Sequence, residues 1–221
     1  MSKSLLHNIT IHLDIIAPLV AFFFAYYRKE KKLGEHVFIV IYLFIQLVLN
    51  TGIKVIMHAN WGPNIYLYKA NCLFSFIVIS LYFLQKWKPY ITQREWRLIA
   101  IGTGIISLLI YIIFTFEQVD AFNSYSYSIT ALFICTYCIL YYYQKLLKPE
   151  AAKITHTRSF WFVSGLFLYY AGSFFIFLSF KFLTINDTPN ASWVWKFHNL
   201  FFVPMCAAFS VGFRCQTNHT I

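Results

Sequence analysis

The chain has 221 residues, 59% of them hydrophobic and only 12% charged, with a mean hydropathy of +0.60 and a formal net charge of +10. A soluble domain carries roughly 25% charged and about 45–50% apolar residues, so this apolar excess exceeds what one soluble core can hide. The cations sit in short clusters between apolar runs, a placement that sets membrane topology and argues against a nucleic-acid partner.

A helix needs about 20 apolar residues to cross the hydrocarbon core of a bilayer. Seven runs meet that length, at about 9–27, 36–57, 65–86, 97–116, 124–146, 159–184 and 193–213. They predict an all-α membrane protein, a single seven-helix transmembrane domain over 1–221. Span one carries His12 and Asp14 in one third and Pro18 further on. Span two carries Gln46, Asn50, Lys54 and His58 at a four-residue spacing, which puts them along one helical face. Span three begins with Lys69 and Asn71. Span four has Ala100, Thr103, Gly104 and Ser107, a set of small residues of the kind that lets helices approach closely in lipid. The acidic and hydroxyl-rich segment from Glu117 to Ser128 leads into span five, with Asn123 and Ser124 as helix-start residues. Span five holds Cys135 and Cys138 mid-helix, a spacing better read as packing than as a redox loop. Small residues recur in span six (Gly165, Gly172, Ser179) and in span seven (Pro204, Ala208, Gly212), and span seven begins with Lys196, His198 and Asn199.

Orientation follows from the basic residues. Thirteen of the 18 fall in one set of loops, including Arg28 to Lys32, Lys86 to Arg97, Lys145 to Arg158, and Arg214. The alternation places that side in the cytoplasm, with the N-terminus outside and the C-terminus inside. The six tryptophans, at positions 61, 87, 96, 161, 193 and 195, all fall at span ends or in loops, as an interfacial belt requires. The five cysteines form no even framework, and no cleavable leader is expected because a small-residue cleavage site is lacking. A bacterial inner-membrane location is expected, with the bilayer itself as the main partner.

Polar groups within spans are costly and are functional candidates by default. They concentrate in the outer third. Asp14, Gln46, Asn50, Lys54, His58, Lys69, Asn71, Lys196, His198 and Asn199 predict an outward-facing polar pocket. Lysines at its mouth, Lys181 among them, would favour a small anionic ligand, with Asp14 as counter-ion. The bland alternative is that the lysines snorkel to the interface and that Gln46 and Asn50 only bond a neighbouring helix. A metal site from His12, Asp14, His58 and His198 is a weaker alternative. No metalloprotease, phosphate-loop or nucleophile-elbow motif occurs, so neither an enzyme activity nor a cofactor is expected.

Three runs also carry a resemblance. Phe122-Asn123-Ser124-Tyr125-Ser126 opens span five, Phe160-Trp161 through Ser164-Gly165 and Tyr169-Tyr170 to Gly172 fills span six, and Trp195 with His198-Asn199 opens span seven. In these the chain resembles an uncharacterised family of seven-span bacterial membrane proteins. That resemblance implies an accessory membrane partner of sensor histidine kinases and brings no activity with it. The leading expectation is a non-enzymatic sensory or signalling module that couples an outer pocket to a separate cytoplasmic partner on the basic inner loops. A small transporter or channel subunit is the alternative, and a lipid-modifying membrane enzyme the third reading. Homo-oligomers are compatible with all three.

Overall fold

The computed structural model describes residues 2–27, 36–62, 64–117, 124–147, 154–185 and 191–215, with the side chains of 2–11, 181, 183–185 and 191–195 left aside. Within them are seven α-helices: α1 (Ser2–Tyr27), α2 (Val37–Ala59), α3 (Ile65–Trp87), α4 (Gln93–Phe116), α5 (Ser124–Leu147), α6 (Arg158–Ile185) and α7 (Ala191–Arg214). A 3-10 turn, Ile154–His156, precedes α6. The helix count matches the seven expected runs. Five of them, α2 to α6, are long and apolar enough to cross a membrane, which makes this a multi-pass membrane protein. In α1 the apolar part is the shorter stretch His12–Tyr27, and α7 opens with Lys196, His198 and Asn199.

Helix ends follow local chemistry. The turn after α2 needs two residues at positive φ: Asn60 at 53°, which caps the helix with its N–H on the Ile56 carbonyl, and Gly62 at 120°. Only glycine and, less readily, asparagine take such angles cheaply. The first helical residue of α4 lies four positions before the expected span start. A capping box accounts for it: Thr92 Oγ1 accepts from the Glu95 N–H at 3.3 Å while the Glu95 carboxylate accepts from the Thr92 N–H at 2.7 Å. Two otherwise orphaned donors are thereby satisfied. Pro18 and Pro204 sit within α1 and α7, both of which continue through them.

Neighbour packing closes a ring. Helix α1 packs on α2 and α7, α2 on α3, α3 on α5, α5 on α6, and α6 on α7. Helix α4 lies outside this ring against α3 and α5. Its small residues divide: Thr103 is buried with Oγ1 3.3 Å from the Tyr137 hydroxyl of α5, whereas a Cβ on Gly102 or Gly104 would meet nothing within 4 Å among the described residues. The tight seam runs instead between α6 and α7. A Cβ on Gly172 would come within 2.7 Å of the Phe201 ring, and one on Gly212 within 2.7 Å of Phe162.

The two ends of the ring differ in kind. At one end Arg158 Nε donates to the Cys215 carbonyl (2.6 Å), Arg214 lies over the Phe24 ring, and Lys145 donates to the Tyr90 hydroxyl (3.0 Å). This is the basic end. Immediately beneath it the core is aromatic: Phe162 meets Tyr82, Phe209 and Phe213, while Tyr137 meets Phe83 and Trp87. Trp87, expected at the headgroups, is only 6% exposed, because its ring packs edge-on against Tyr137. Trp61 is 77% exposed in the turn after α2, at the opposite end. The basic residues Arg28 to Lys32, Lys148 and Lys153 and the segment 118–123 lie outside the described residues, as do the side chains of Lys181, Trp193 and Trp195.

Candidate functional site

The polar end is organised by the four-residue ladder of α2. Because residues four apart stack on one helical face, Gln46, Asn50, Lys54 and His58 grade outward from buried through half-buried to exposed. Gln46 Nε2 donates to Asn71 Oδ1 (2.7 Å) and Ser75 Oγ (2.8 Å) on α3. Asn71 Nδ2 returns a bond to Gln46 Oε1 (3.3 Å) and reaches Asn50 Oδ1 (3.5 Å), while Ser75 Oγ donates to Asn71 Oδ1 (3.0 Å). Asn50 Nδ2 donates to the Asp14 carbonyl of α1 (3.0 Å), and the Lys54 ammonium donates to the Asp14 carboxylate in the same region. One polar chain thus ties three helices together. It reaches the surface where Lys54 and Asp14 keep 22% and 19% of their side chains exposed.

Tyr170 of α6 lines the same space beside Ser75. On the far wall His198 of α7 is held between α6 hydroxyls, Nδ1 at 3.1 Å from Ser173 Oγ and Nε2 at 3.2 Å from the Tyr169 hydroxyl. Its ring is flanked by Tyr169 and Phe177. Both ring nitrogens are therefore engaged within the bundle. Thr130 of α5 meets Cys72 of α3 at 3.3 Å, and the Tyr127 hydroxyl donates to the Tyr68 carbonyl at 2.8 Å.

These walls enclose a cavity of ≈ 40 Å³. Asp14, Gln46, Asn50, Asn71, His198 and Asn199 line it, together with Tyr68, Ser75, Tyr127, Thr130, Tyr169 and Tyr170. Every ring helix contributes, and α4 does not. A water-sized occupant needs about 10–15 Å³ of such space, so the cavity holds roughly three.

Of the ten residues expected to form a pocket, six line this one. Lys54 joins through Asp14. Lys69 turns away and donates to the Phe114 carbonyl (2.9 Å) with its ammonium over that ring, which satisfies a carbonyl at the end of α4. His58 is exposed in the last turn of α2, and Lys196 is half-buried but off the cavity wall. The acid and histidine an enzyme would pair are separately engaged, Asp14 by lysine and His198 by hydroxyls. The alternative metal set does not assemble. His12 is exposed, and among the described residues no group of three His, Cys, Asp or Glu side chains gathers to hold a metal ion.

Sequence reasoning missed the tyrosines of the wall. With 16 tyrosines in the chain, those at 68, 127, 169 and 170 carry no distinguishing spacing. Nor does a lone serine in an apolar run stand out, yet Ser75 is the inner anchor of the amide cluster. Glu117 lies between α4 and α5. It is 7% exposed and accepts from the Tyr125 N–H (2.9 Å) and Ser126 Oγ (2.6 Å), capping α5 from eight residues upstream. Comparison with protein-family models, curated proteins and solved structures finds no match to this chain.

Proposed function

We propose that this chain is a seven-span sensory module of the bacterial inner membrane, with its N-terminus outside and its C-terminus in the cytoplasm. It is non-enzymatic. A ligand enters the polar cavity from outside, and a separate signalling protein docks on the basic cytoplasmic end. The observation that carries this reading is the cavity wall itself. Six helices place side chains on a space of ≈ 40 Å³, so one small occupant touches all of them at once. A shift in any contact is passed to helices whose other ends are clamped by ring-on-ring packing, since packed cores respond as bistable bodies and not as soft ones.

The same clamp favours a sensor over a transporter or channel subunit. A conduit needs polar groups or broken helices continuing past the midplane. Here the amide cluster ends at Ser75, and further in the Tyr42 hydroxyl donates to the Met205 sulfur at 3.9 Å. Beyond that lie Phe209 and Phe162. The test is a set of alanine variants at Asn50 and His198, checked for normal membrane abundance and then for transcriptional response in cells. Normal abundance with the response abolished is the expected result. A full response in both variants contradicts the reading.

A further inference from the structure

The cavity wall carries one formally charged side chain, Asp14. Of the lysines expected to draw an anion, those with described side chains do not line the space: Lys54 pairs with Asp14, Lys69 donates to a backbone carbonyl, and Lys196 lies off the wall. The Asp14 carboxylate already holds Lys54, so an anion there would meet no uncommitted cation among the described lining residues. The remaining polar groups are amides and hydroxyls, from Asn50, Asn71, Asn199, Ser75, Thr130 and Tyr68 among others, with the Asn50 and Asn71 amide oxygens already accepting within the amide cluster. Asn199 is only 5% exposed, lines the cavity, and its carboxamide makes no hydrogen bond with the described residues. Its amide atoms are not sealed within the protein, so the carboxamide is open to an occupant of the cavity.

Resting on the outward pocket proposed above, we infer that the cavity is a binding site for one small alkali cation, with the Asp14 carboxylate as its charge partner and the Asn199 amide oxygen as a ligand on the opposite wall. Hard cations take oxygen ligands, and a wall of neutral oxygens can stand in for part of a hydration shell. The volume fits an ion with one or two waters and is far below the roughly 300 Å³ of a pocket for an organic ligand. Lys54 is then the tethered stand-in. Its ammonium occupies the carboxylate while the ion is away, and on ion entry it swings outward on its flexible stem toward the interface, one turn below the exposed His58. One positive charge leaves as another arrives, so the local charge is conserved. The exchange also unfastens the ion pair between α1 and α2.

The test uses the purified full chain in nanodiscs. Thermal unfolding is followed as sodium, potassium or lithium chloride replaces N-methyl-D-glucamine chloride at constant ionic strength. A ligand that binds the native state raises Tm in a saturable way, and a saturable rise with at least one alkali ion over the bulky organic cation is expected. Lys54→Met removes the competitor and lowers the midpoint concentration about tenfold, Asn199→Ala raises it by a similar factor, and Asp14→Asn abolishes the effect. Should Asp14→Asn fail to fold, the other two variants decide. The assignment is overturned if all cations act alike, if Tm follows the anion in a chloride, sulfate and gluconate series, or if Lys54→Met weakens the response. Impermeant thiol labelling of Asn50→Cys in intact cells, with the five native cysteines replaced, separates the two claims. Labelling without a cation effect overturns the ion site alone and leaves the outward pocket standing.

Discussion

Beneath the basic end, Tyr82, Phe162, Phe209 and Phe213 fill the space between α3, α6 and α7 ring against ring. At the opposite end the same helices stand around ≈ 40 Å³ of polar space bridged by amides and hydroxyls. The same helices form both regions, so the difference lies in which side chains point inward at each end. Aromatic rings leave no room for water and no partner for a polar group, and the contacts they make are dispersive and short-ranged. Amides hold helices together while leaving donors and acceptors that something else can meet. One bundle therefore has a rigid half and an adaptable half, an arrangement suited to converting occupancy into movement.

The largest expected effect breaks the rigid half. Phe162 is fully buried and touches three core rings, so Phe162→Ala should cost roughly 3–5 kcal/mol in a detergent-denaturation titration. The polar half is softer. Gln46→Leu keeps the shape but deprives Asn71 and Ser75 of a partner. It should cost about 1–3 kcal/mol and leave the aromatic end intact, as read by unchanged tryptophan emission in the native state. A pair of glycine variants then separates ring from periphery. Gly212→Ala places a methyl 2.7 Å from Phe162 and 3.3 Å from the Arg158 carbonyl, for an expected loss of about 1–3 kcal/mol. Gly104→Ala enters open space on α4 and should be neutral or stabilising by up to about 1 kcal/mol. Equal losses from the two would place α4 in a packed position that the ring described here does not give it.

Much of the architecture was legible because bilayer spans announce themselves by length and apolarity. All seven runs became helices, with four of the ends unchanged and the others shifted by one to seven residues. The largest described shift with a local cause, at α4, came from a T-x-x-E capping box that the sequence displays openly at Thr92 and Glu95. The pocket was legible where polar residues are rare in apolar runs, as with Gln46 and Asn50. It was not legible where the lining residues are common, as with Tyr169 and Tyr170, or where a long flexible side chain has several partners in reach. Lys69 illustrates the second case. From sequence it belongs to the mouth of the pocket, yet its stem lets it reach the Phe114 carbonyl across the neighbouring helix. Trp87 illustrates a third, in which position along the chain suggested the headgroups and the neighbouring rings of Phe83 and Tyr137 drew the indole inward.

The central claim is that one half of this ring is reached by water from outside and the other half is dry. Single cysteines at Asn50 and at Phe209, in a background with Cys72, Cys135, Cys138, Cys206 and Cys215 replaced, test it directly with an impermeant thiol reagent. Intact cells report the outer side and inverted vesicles the cytoplasmic one. The account predicts labelling of Asn50→Cys in cells only and of Phe209→Cys in neither preparation. Labelling of Asn50→Cys in inverted vesicles only, or of Phe209→Cys from either side, would contradict it.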